Sequence, residues 1–150
     1  MHPVYVHIKK ELSPFYAEEE ASAMAKWISS DILHLSTLEL YTGKDMNFST
    51  KEWAELEDIL RRLKQREPLQ YILQEASFCG MSFHVEQGVL IPRPETEELV
   101  EWIVSDFREA GQVRILDIGT GSGCIPVSLA QLLPEAQVSS CDVSAEALRI

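Results

Sequence analysis

A glycine-rich turn directly after an apolar strand places the strongest constraint on the fold of this chain. The run VRILDIGTGSG extends from Val113 to Gly123, and an apolar segment of helical length follows, from Cys124 to Leu133. Nearly continuous apolar strands are typical of parallel sheets that are buried on both faces. A further strand is predicted from Gln137 to Asp142, and strand–helix–strand units cross over with a right-handed, parallel geometry. The sequence therefore predicts an α/β fold.

The three glycines of the turn are suited to a ligand site. Gly119, Gly121 and Gly123 have no β-carbon, so they permit positive φ angles and let a ligand approach the amides at the start of the next helix. That helix end carries roughly half a positive charge, which favours a carboxylate or phosphate. Dinucleotide enzymes space their glycines as G-x-G-x-x-G, whereas this turn has G-x-G-x-G. The spacing disfavours a nicotinamide-dependent dehydrogenase, and an ordinary tight turn is the simpler alternative.

A carboxylate at the end of the second strand strengthens the ligand interpretation. Asp142 lies 19 residues beyond Gly123, where it can accept hydrogen bonds from both hydroxyls of a ribose. Hydrogen bonds to a charged group contribute about 1.5 to 3 kcal/mol each. The alternative is that Asp142 caps a helix that begins near Ser144. We favour the ligand, and the cap remains open at this point.

Upstream of the turn the sequence predicts mostly helices. One helix is expected to begin at Ser13 and Pro14 and to continue to about Ser30, since serine caps helices and proline is tolerated at their first position. A short helix from Asp31 to Leu40 and a loop from Tyr41 to Phe48, containing Gly43, Asp45 and Asn47, should follow. The next helix has a capping box at Ser49 and Glu52, apolar residues Trp53, Leu56, Ile59, Leu60 and Leu63, and an end near Arg66 before Pro68.

The segment between these helices and the turn changes character. A β-hairpin is predicted in which residues 76–79 pair with 82–85 around Cys79-Gly80-Met81. After Ile91 a helix should follow, with one apolar stripe formed by Leu99, Val100, Ile103, Val104 and Phe107. We therefore divide the chain into a helical bundle (1–73), a hairpin linker (74–92) and the first part of an α/β domain (93–150).

Composition limits the classes of function. The net charge of −11 argues against a broad phosphate-binding surface, because nucleic-acid affinity depends on Lys and Arg. No apolar run is long enough for a membrane span and the first residues do not resemble a signal peptide, so we expect a soluble, cytoplasmic protein that binds no membrane. The three cysteines and four histidines lack metal-ligand spacing, so no metal site is predicted.

Several strings together resemble one known family. They are REPLQYI from Arg66 to Ile72, GVLIPRPETEELV from Gly88 to Val100, ILDIGTGSGCI from Ile115 to Ile125, and the later CDVS. These strings are similar to the release-factor glutamine methyltransferases, also known as PrmC or HemK. The match covers the chain from about Arg66 onward, and the helical segment before it matches only in architecture. One departure is Gln74, where the family often has glycine.

The resemblance implies a fold, a cofactor and a partner. It implies a helical domain that helps hold a release factor, a hairpin linker, and a class I (Rossmann-like) domain that binds S-adenosylmethionine. The expected reaction methylates the side-chain amide of the glutamine in a Gly-Gly-Gln motif of a peptide chain release factor, with no direct role for nucleic acid. The residues expected at the cofactor are Asp117, Gly119, Thr120, Gly121, Ser122, Gly123 and Asp142, with Thr96 beside it.

The reactive end of the site is not expected within these residues. The family's Asn-Pro-Pro-Tyr motif, which holds the target amide, does not occur in the sequence, so no catalytic residue is named and this piece is expected to be inactive. Two strands cannot complete an open sheet, so we expect a truncated domain whose open edge favours self-association. The alternatives are a methyltransferase acting on a nucleic-acid base amine and a non-catalytic helical interaction module.

Overall fold

The computed structural model of the protein describes residues 1–43 and 48–150. The chain divides into two compact units, residues 1–69 and residues 70–150. The first unit is helical and the second combines helices with two small sheets, so the predicted α/β fold class is confirmed. None of the helices in the described ranges is both long and apolar enough to cross a membrane.

The first unit is built from helices around a core of leucine and isoleucine. Their bounds are α1 Pro3–Leu12, α2 Glu18–Trp27, a π-helical turn Ile28–Ile32, α3 Thr37–Thr42 and α4 Thr50–Lys64. Helix α5, Leu69–Leu73, spans the boundary between the units. Helix α1 packs against both α2 and α4. The largest buried side chains of this core are Ile8, Leu12, Ile28, Leu56, Leu60 and Leu63.

The predicted helix start at Ser13 is wrong, although the residues from Glu18 to about Ser30 are helical as predicted. Ser13 follows the last residue of α1, where its hydroxyl donates to the carbonyl of Lys9, and the next helix begins only at Glu18. Helix α1 itself was not predicted, although Pro3 at its first position and the apolar residues that follow give a helical signal. The apolar residues of α1, all of them buried, are Val4, Tyr5, Ile8 and Leu12.

The predicted helix from Asp31 to Leu40 is also wrong. The π-helical turn ends at Ile32, His34 has a φ angle of 53°, and α3 starts at Thr37 behind a capping box formed by Ser36 and Glu39. A left-handed residue cannot continue a helix, which explains the interruption. Helix α3 includes Tyr41 and Thr42, so the predicted loop begins too early, and positions 44–47 of that loop lie outside the described residues.

Helix α4 matches its prediction closely. The Ser49 hydroxyl accepts from the amide of Glu52, and the Glu52 carboxylate accepts from the amide of Ser49 at 2.7 Å. The helix ends at Lys64, two residues before Arg66. Four of the five predicted apolar residues are buried, while Trp53 lies partly exposed.

The β-hairpin is present, and each of its strands lies one residue earlier than predicted. Strands β1 (Glu75–Phe78) and β2 (Met81–His84) are antiparallel, and Phe78 pairs with Met81. The turn is therefore the dipeptide Cys79-Gly80, and both residues have positive φ angles. Two-residue turns of this kind match the natural twist of paired strands, and the predicted pairing would have placed the turn one residue later, at Gly80-Met81.

The remaining elements form the predicted strand–helix–strand unit. Helix α6 spans Pro94–Phe107, β3 Arg114–Ile118, α7 Cys124–Leu132 and β4 Gln137–Cys141. The two strands pair in parallel, as expected, and a short 3₁₀ helix covers Ala147–Arg149. Helices α6 and α7 pack on each other. Their core with the hairpin consists of Phe78, Phe83, Val100, Val104, Cys124, Leu129 and Leu133.

Strand β3 is not buried on both faces, so that prediction is wrong. Ile115 packs against the core that α6 and α7 supply, and Asp117 points the same way by the alternation of the strand. The opposite side chains, Leu116 and Ile118, are 60% and 77% exposed. Among the described residues, no helix covers this second face of the sheet.

Candidate functional site

The glycine-rich turn and Asp142 emerge next to each other at one edge of the parallel sheet. Ile118, the last residue of β3, pairs with Cys141, the last residue of β4. The amides of Gly119 and Thr120 both donate to the carbonyl of Cys141, at 2.8 and 3.2 Å. Asp142 follows Cys141 directly, so the register of two strands places its carboxylate beside the turn. The turn and the carboxylate therefore lie at the same edge of the sheet.

The Asp142 carboxylate is held between two backbone amides. One oxygen, Oδ2, accepts from the amide of Gly121 at 2.8 Å, and the other, Oδ1, accepts from the amide of Ser144 at 2.8 Å. These hydrogen bonds, first that from Ser144 and then that from Gly121, lower the pKa of Asp142 below its usual value. The carboxylate is therefore ionised and fixed in direction.

The two alternatives raised for Asp142 are not exclusive. It accepts from Ser144, and the Ser144 hydroxyl in turn accepts from the amide of Ala147 at 3.1 Å, ahead of the 3₁₀ helix. Asp142 therefore takes part in the turn that precedes this helix. An ionised carboxylate has about four lone-pair positions, and two hydrogen bonds leave the others for ribose hydroxyls.

The amides of the turn are mostly satisfied within the protein. Gly119 and Thr120 donate to Cys141, Gly121 donates to Asp142, and Gly123 donates to the carbonyl of Thr120 at 3.0 Å. Among the described residues, the Ser122 amide is the one of the turn that has no partner. A ligand could therefore accept hydrogen bonds from one free amide of the turn and from the amides in the first turn of α7. This is fewer donors than the sequence interpretation assumes.

The space above the glycines is open. Their φ angles are +83°, +56° and +73° for Gly119, Gly121 and Gly123, in the region that side chains avoid. A β-carbon placed on any of the three would meet no atom within 4 Å. Backbone conformation, rather than crowding by the protein, therefore requires glycine here, and room remains for a ligand to lie on the turn.

Two polar atoms of the predicted site are buried. Oδ2 of Asp117 and Oγ1 of Thr120 are both enclosed and have no hydrogen-bond partner among the described residues. Unpaired buried polar atoms are costly and are uncommon in folded proteins. Their enclosure favours a role within the fold of the turn over direct contact with a bound molecule.

Thr96 lies at the same end of the second unit as the turn. It is a half-buried residue in the first turn of α6, and its amide donates to the carbonyl of Arg93 at 2.9 Å. The last residues of α6 and α7 line one shallow depression, with Phe107 close to Leu132. The two packed helices therefore run in the same direction, and their N-terminal ends, which hold Thr96 and Ser122, share the carboxyl edge of the sheet.

The sequence interpretation missed two side chains that tie segments of the second unit together. Glu97 accepts from the amide of Cys79 at 2.7 Å and so ties the hairpin turn to α6. The hydroxyl of Tyr71 donates to the carbonyl of Val89 at 2.7 Å. Both belong to the strings that carried the family resemblance, which is the signal that could have found them.

Cys124 and Cys79 pack in the core of the second unit, whereas Cys141 is exposed. Burial raises the pKa of the Cys124 thiol at the start of α7 and that of Cys79 in the hairpin turn. All three cysteines are free, and in the described part of the chain no three His, Cys, Asp or Glu side chains come together as metal ligands would.

A glycine-rich turn between a parallel strand and a helix, with a carboxylate after the next strand, defines the beginning of a Rossmann-like ligand-binding domain. Residues 5–73 match the family model described as the PrmC N-terminal domain. Over all 150 residues the chain is 47% identical to the release factor glutamine methyltransferase of Bacteroides thetaiotaomicron, of which it covers 53%. Residues 5–73 are therefore assigned to the PrmC N-terminal domain, and the whole chain is similar to release factor glutamine methyltransferases.

Other relatives support the same assignment. The release factor glutamine methyltransferase of Flavobacterium psychrophilum is 41% identical over 140 residues, which are 91% of this chain and 49% of the relative. That of Chlorobaculum tepidum is 39% identical over 153 aligned positions, which cover 97% of this chain and 52% of the relative. The chain therefore spans about half the length of the curated relatives it matches.

Proposed function

We propose that the complete protein methylates the side-chain amide of the glutamine in the Gly-Gly-Gln motif of a peptide chain release factor, with S-adenosylmethionine as donor. The observation that carries this proposal is the meeting of the glycine turn with Asp142 at the carboxyl edge of β3 and β4. The relatives are release factor glutamine methyltransferases, and this supplies the reaction and the type of substrate. A cytoplasmic location remains part of the prediction.

The residues of the site fit the proposed cofactor. Asp142 would accept hydrogen bonds from the ribose hydroxyls with its remaining lone pairs, and its ionised state suits that role. The open space above Gly119, Gly121 and Gly123 would admit the methionine part, whose carboxylate would face the N-terminal end of α7. When bound, S-adenosylmethionine supplies an electrophilic methyl group. Thr96 and Ser122 would lie beside it, with Asp117 and Thr120 shaping the turn.

Catalysis in this proposal depends mainly on positioning. An amide nitrogen is a poor nucleophile, so the enzyme must hold it in line with the methyl group and accept hydrogen bonds from its hydrogens. The glycine turn and Asp142 would hold the methyl donor, S-adenosylmethionine, in place. The Asn-Pro-Pro-Tyr segment that the resemblance assigns to the target amide is absent from this sequence. We therefore expect the 150-residue chain alone to transfer no methyl group.

The proposal divides the work between the two parts of the chain. The bundle, predicted as residues 1–73, would help hold the release factor, and residues 93–150, reached through the hairpin segment 74–92, would begin the cofactor domain. Charge favours a protein substrate over a nucleic-acid base, because residues 70–150 hold twelve carboxylates and four arginines. Phosphates would be repelled by such a surface.

The cofactor site is tested by substitution in the full-length enzyme. Asp142→Ala should weaken S-adenosylmethionine binding, measured by calorimetry, about tenfold or more, because the ribose loses its acceptor. Glu109→Gln, which removes an exposed carboxylate beyond the end of α6, is the matched control and should bind normally. Unchanged affinity in Asp142→Ala would leave that residue a purely structural role in the turn.

The substrate is tested by transfer of labelled methyl. The full-length enzyme should label a release factor, and a release factor with Gln→Asn in its Gly-Gly-Gln motif should stay unlabelled. Labelling of tRNA or DNA in place of the release factor would contradict the proposal and favour the nucleic-acid alternative. Detectable transfer by residues 1–150 alone would contradict the expectation that this piece is inactive.

A further inference from the structure

One face of helix α6 combines an exposed indole with several carboxylates. Trp102 is 68% exposed and Leu99, three residues before it, is 44% exposed. Residues spaced by three, four and seven positions share one face of a helix. By this spacing three exposed carboxylates flank the two apolar side chains, namely Glu95, Glu98 and Asp106. We call these five residues the α6 face.

The charges of this face are unfavourable for the helix itself. Helix α6 contains five carboxylates and no basic residue, and none of the five forms an ion pair within the described ranges. Carboxylates in the first turn, Glu95 and Glu97, are favoured by the helix dipole, whereas Asp106 lies in the last turn, where a negative charge is disfavoured. Glu95 and Glu98 are three residues apart and repel each other. Stability of the helix therefore does not account for the pattern.

The position of the α6 face links it to the candidate site. Helix α6 begins at the carboxyl edge of the sheet, where the glycine turn and Asp142 lie. Trp102 is eight residues after Pro94, so it is about 12 Å from that end of the helix at the usual rise per residue. A protein that presents a side chain to the carboxyl edge must rest on the surface around it, and the α6 face is within that distance.

We propose that the α6 face docks a positively charged segment of the protein substrate, with an apolar side chain of that segment covering Trp102. This inference rests on the proposed function, because it takes the occupant to be the release factor that is methylated. Trp is enriched among the residues that contribute most to binding at the centre of protein interfaces, and a rim of one charge steers a partner of the opposite charge. Nucleic acid and anionic membranes carry the wrong charge for this surface.

Substitution of Trp102 tests the apolar contact. In the full-length enzyme Trp102→Ala should raise KM for the release factor about tenfold or more, with kcat and the dissociation constant of S-adenosylmethionine unchanged. Trp102→Phe should recover most of the affinity. The matched control is Val127→Ala on α7, an apolar residue that is also half exposed, which should leave KM unchanged.

Substitution of the carboxylates tests the charge complementarity. Glu98→Gln combined with Asp106→Asn should raise KM several-fold at low ionic strength and reduce its dependence on salt. Glu135→Gln, an exposed carboxylate after α7, should leave both properties unchanged. An unaltered KM in the double variant contradicts the proposed complementarity.

A direct binding measurement separates this inference from the proposed function. Calorimetry of release factor with the full-length enzyme should show weaker binding for Trp102→Ala, whether or not methyl transfer occurs. If the wild-type enzyme binds the release factor without methylating it, the function fails and the docking surface stands. The inference is overturned if the wild-type enzyme does not bind the release factor, or if Trp102→Ala binds it equally well. It is also overturned if Trp102→Ala lowers the melting temperature, because the enzyme's own chain would then cover Trp102.

Discussion

Helices begin differently in the two units of the chain. In the bundle, side chains accept from the first amides of three helices: His2 for α1 at 3.2 Å, Ser36 for α3 and Ser49 for α4. In the second unit, α6 begins after Arg93 and α7 after Gly123, and neither residue provides a side-chain acceptor. Three helices of the bundle are therefore capped by side chains, whereas α2 of the bundle, which follows Ala17, and both α6 and α7 of the second unit have no such cap.

Apolar surface shows the same contrast. Leu60 in α4 is fully buried within the bundle, while Leu116 in β3 is 60% exposed on the uncovered face of the sheet. Burial of a leucine stabilises a fold by about 1.5 to 3 kcal/mol, so the two residues contribute unequally. The apolar side chains of α4 in the bundle are thus buried by contacts within the bundle. The second unit, in contrast, has an apolar sheet face that no contact within residues 70–150 covers.

The largest expected effect compares these two leucines. Leu60→Ala should lower the free energy of unfolding of the bundle by about 2 to 5 kcal/mol, because it leaves a cavity in a closed core. Leu116→Ala should change the stability of the second unit by no more than about 0.5 kcal/mol. Amide hydrogen exchange by NMR reports the two units separately. Equal losses for the two variants would remove the contrast between the units.

Next in size is a comparison of two left-handed glycines. Gly43→Ala after α3 and Gly123→Ala before α7 should each cost about 1 to 2 kcal/mol, since both residues have φ angles near +70° and alanine is strained there. The variants should differ in the full-length enzyme, where only Gly123→Ala should weaken S-adenosylmethionine binding. Calorimetry measures this affinity. Equal cofactor affinity of the two variants would show that the glycine turn does not contribute to cofactor binding.

A smaller effect sharpens the contrast in helix caps. Ser49→Ala removes the acceptor for the amide of Glu52 and should destabilise α4 by about 1 kcal/mol. Arg93→Ala at the start of α6 should cost less than about 0.5 kcal/mol, because no side-chain hydrogen bond is lost. Urea denaturation of the 150-residue chain compares them. A larger loss for Arg93→Ala would show that α6 is capped in a different way.

The smallest effect concerns the titration of Asp142. Its pKa in the folded chain lies below the unfolded value of about 3.9, so its hydrogen bonds stabilise the fold above that pH and are lost as pH falls through the folded pKa. NMR titration of the side-chain carboxyl carbon should give a midpoint below about 3.9. Ser144→Pro removes the amide donor with the largest effect on the pKa of Asp142, so it should move the midpoint upward. An unchanged midpoint would show that the hydrogen bond from Ser144 does not cause the lowered pKa.

Features carried by adjacent residues could be predicted from the sequence. The capping box of α4 depends on Ser49 and Glu52 alone, and the glycine turn depends on the backbone freedom of three nearby residues. The parallel pairing of β3 with β4 followed from the length of the helix between them. These signals need no knowledge of distant parts of the chain.

Features that depend on distant residues could not be predicted. The hydrogen bond between Gly121 and Asp142 requires the exact register of two strands, and the exposure of Leu116 depends on which helices cover the sheet. The left-handed conformation of His34, which separates the π-helical turn from α3, has no local sequence signal of the kind that glycine gives. Helix α1 was missed for another reason, since Ser13-Pro14 offered a competing start signal.

Gly88 lies close to Glu146 and Ile150, which follow β4 in the chain. This contact has a consequence for folding during synthesis. A β-carbon on Gly88, whose φ angle is +124°, would lie 3.1 Å from side-chain atoms of Glu146 and Ile150, and Val89 shares a small core with Ala147. This corner joins residues about sixty positions apart, so it closes only after the chain through Ile150 has left the ribosome. Until then the apolar residues of that core have no cover from Ala147, and a nascent chain paused before this point would expose them to chaperones.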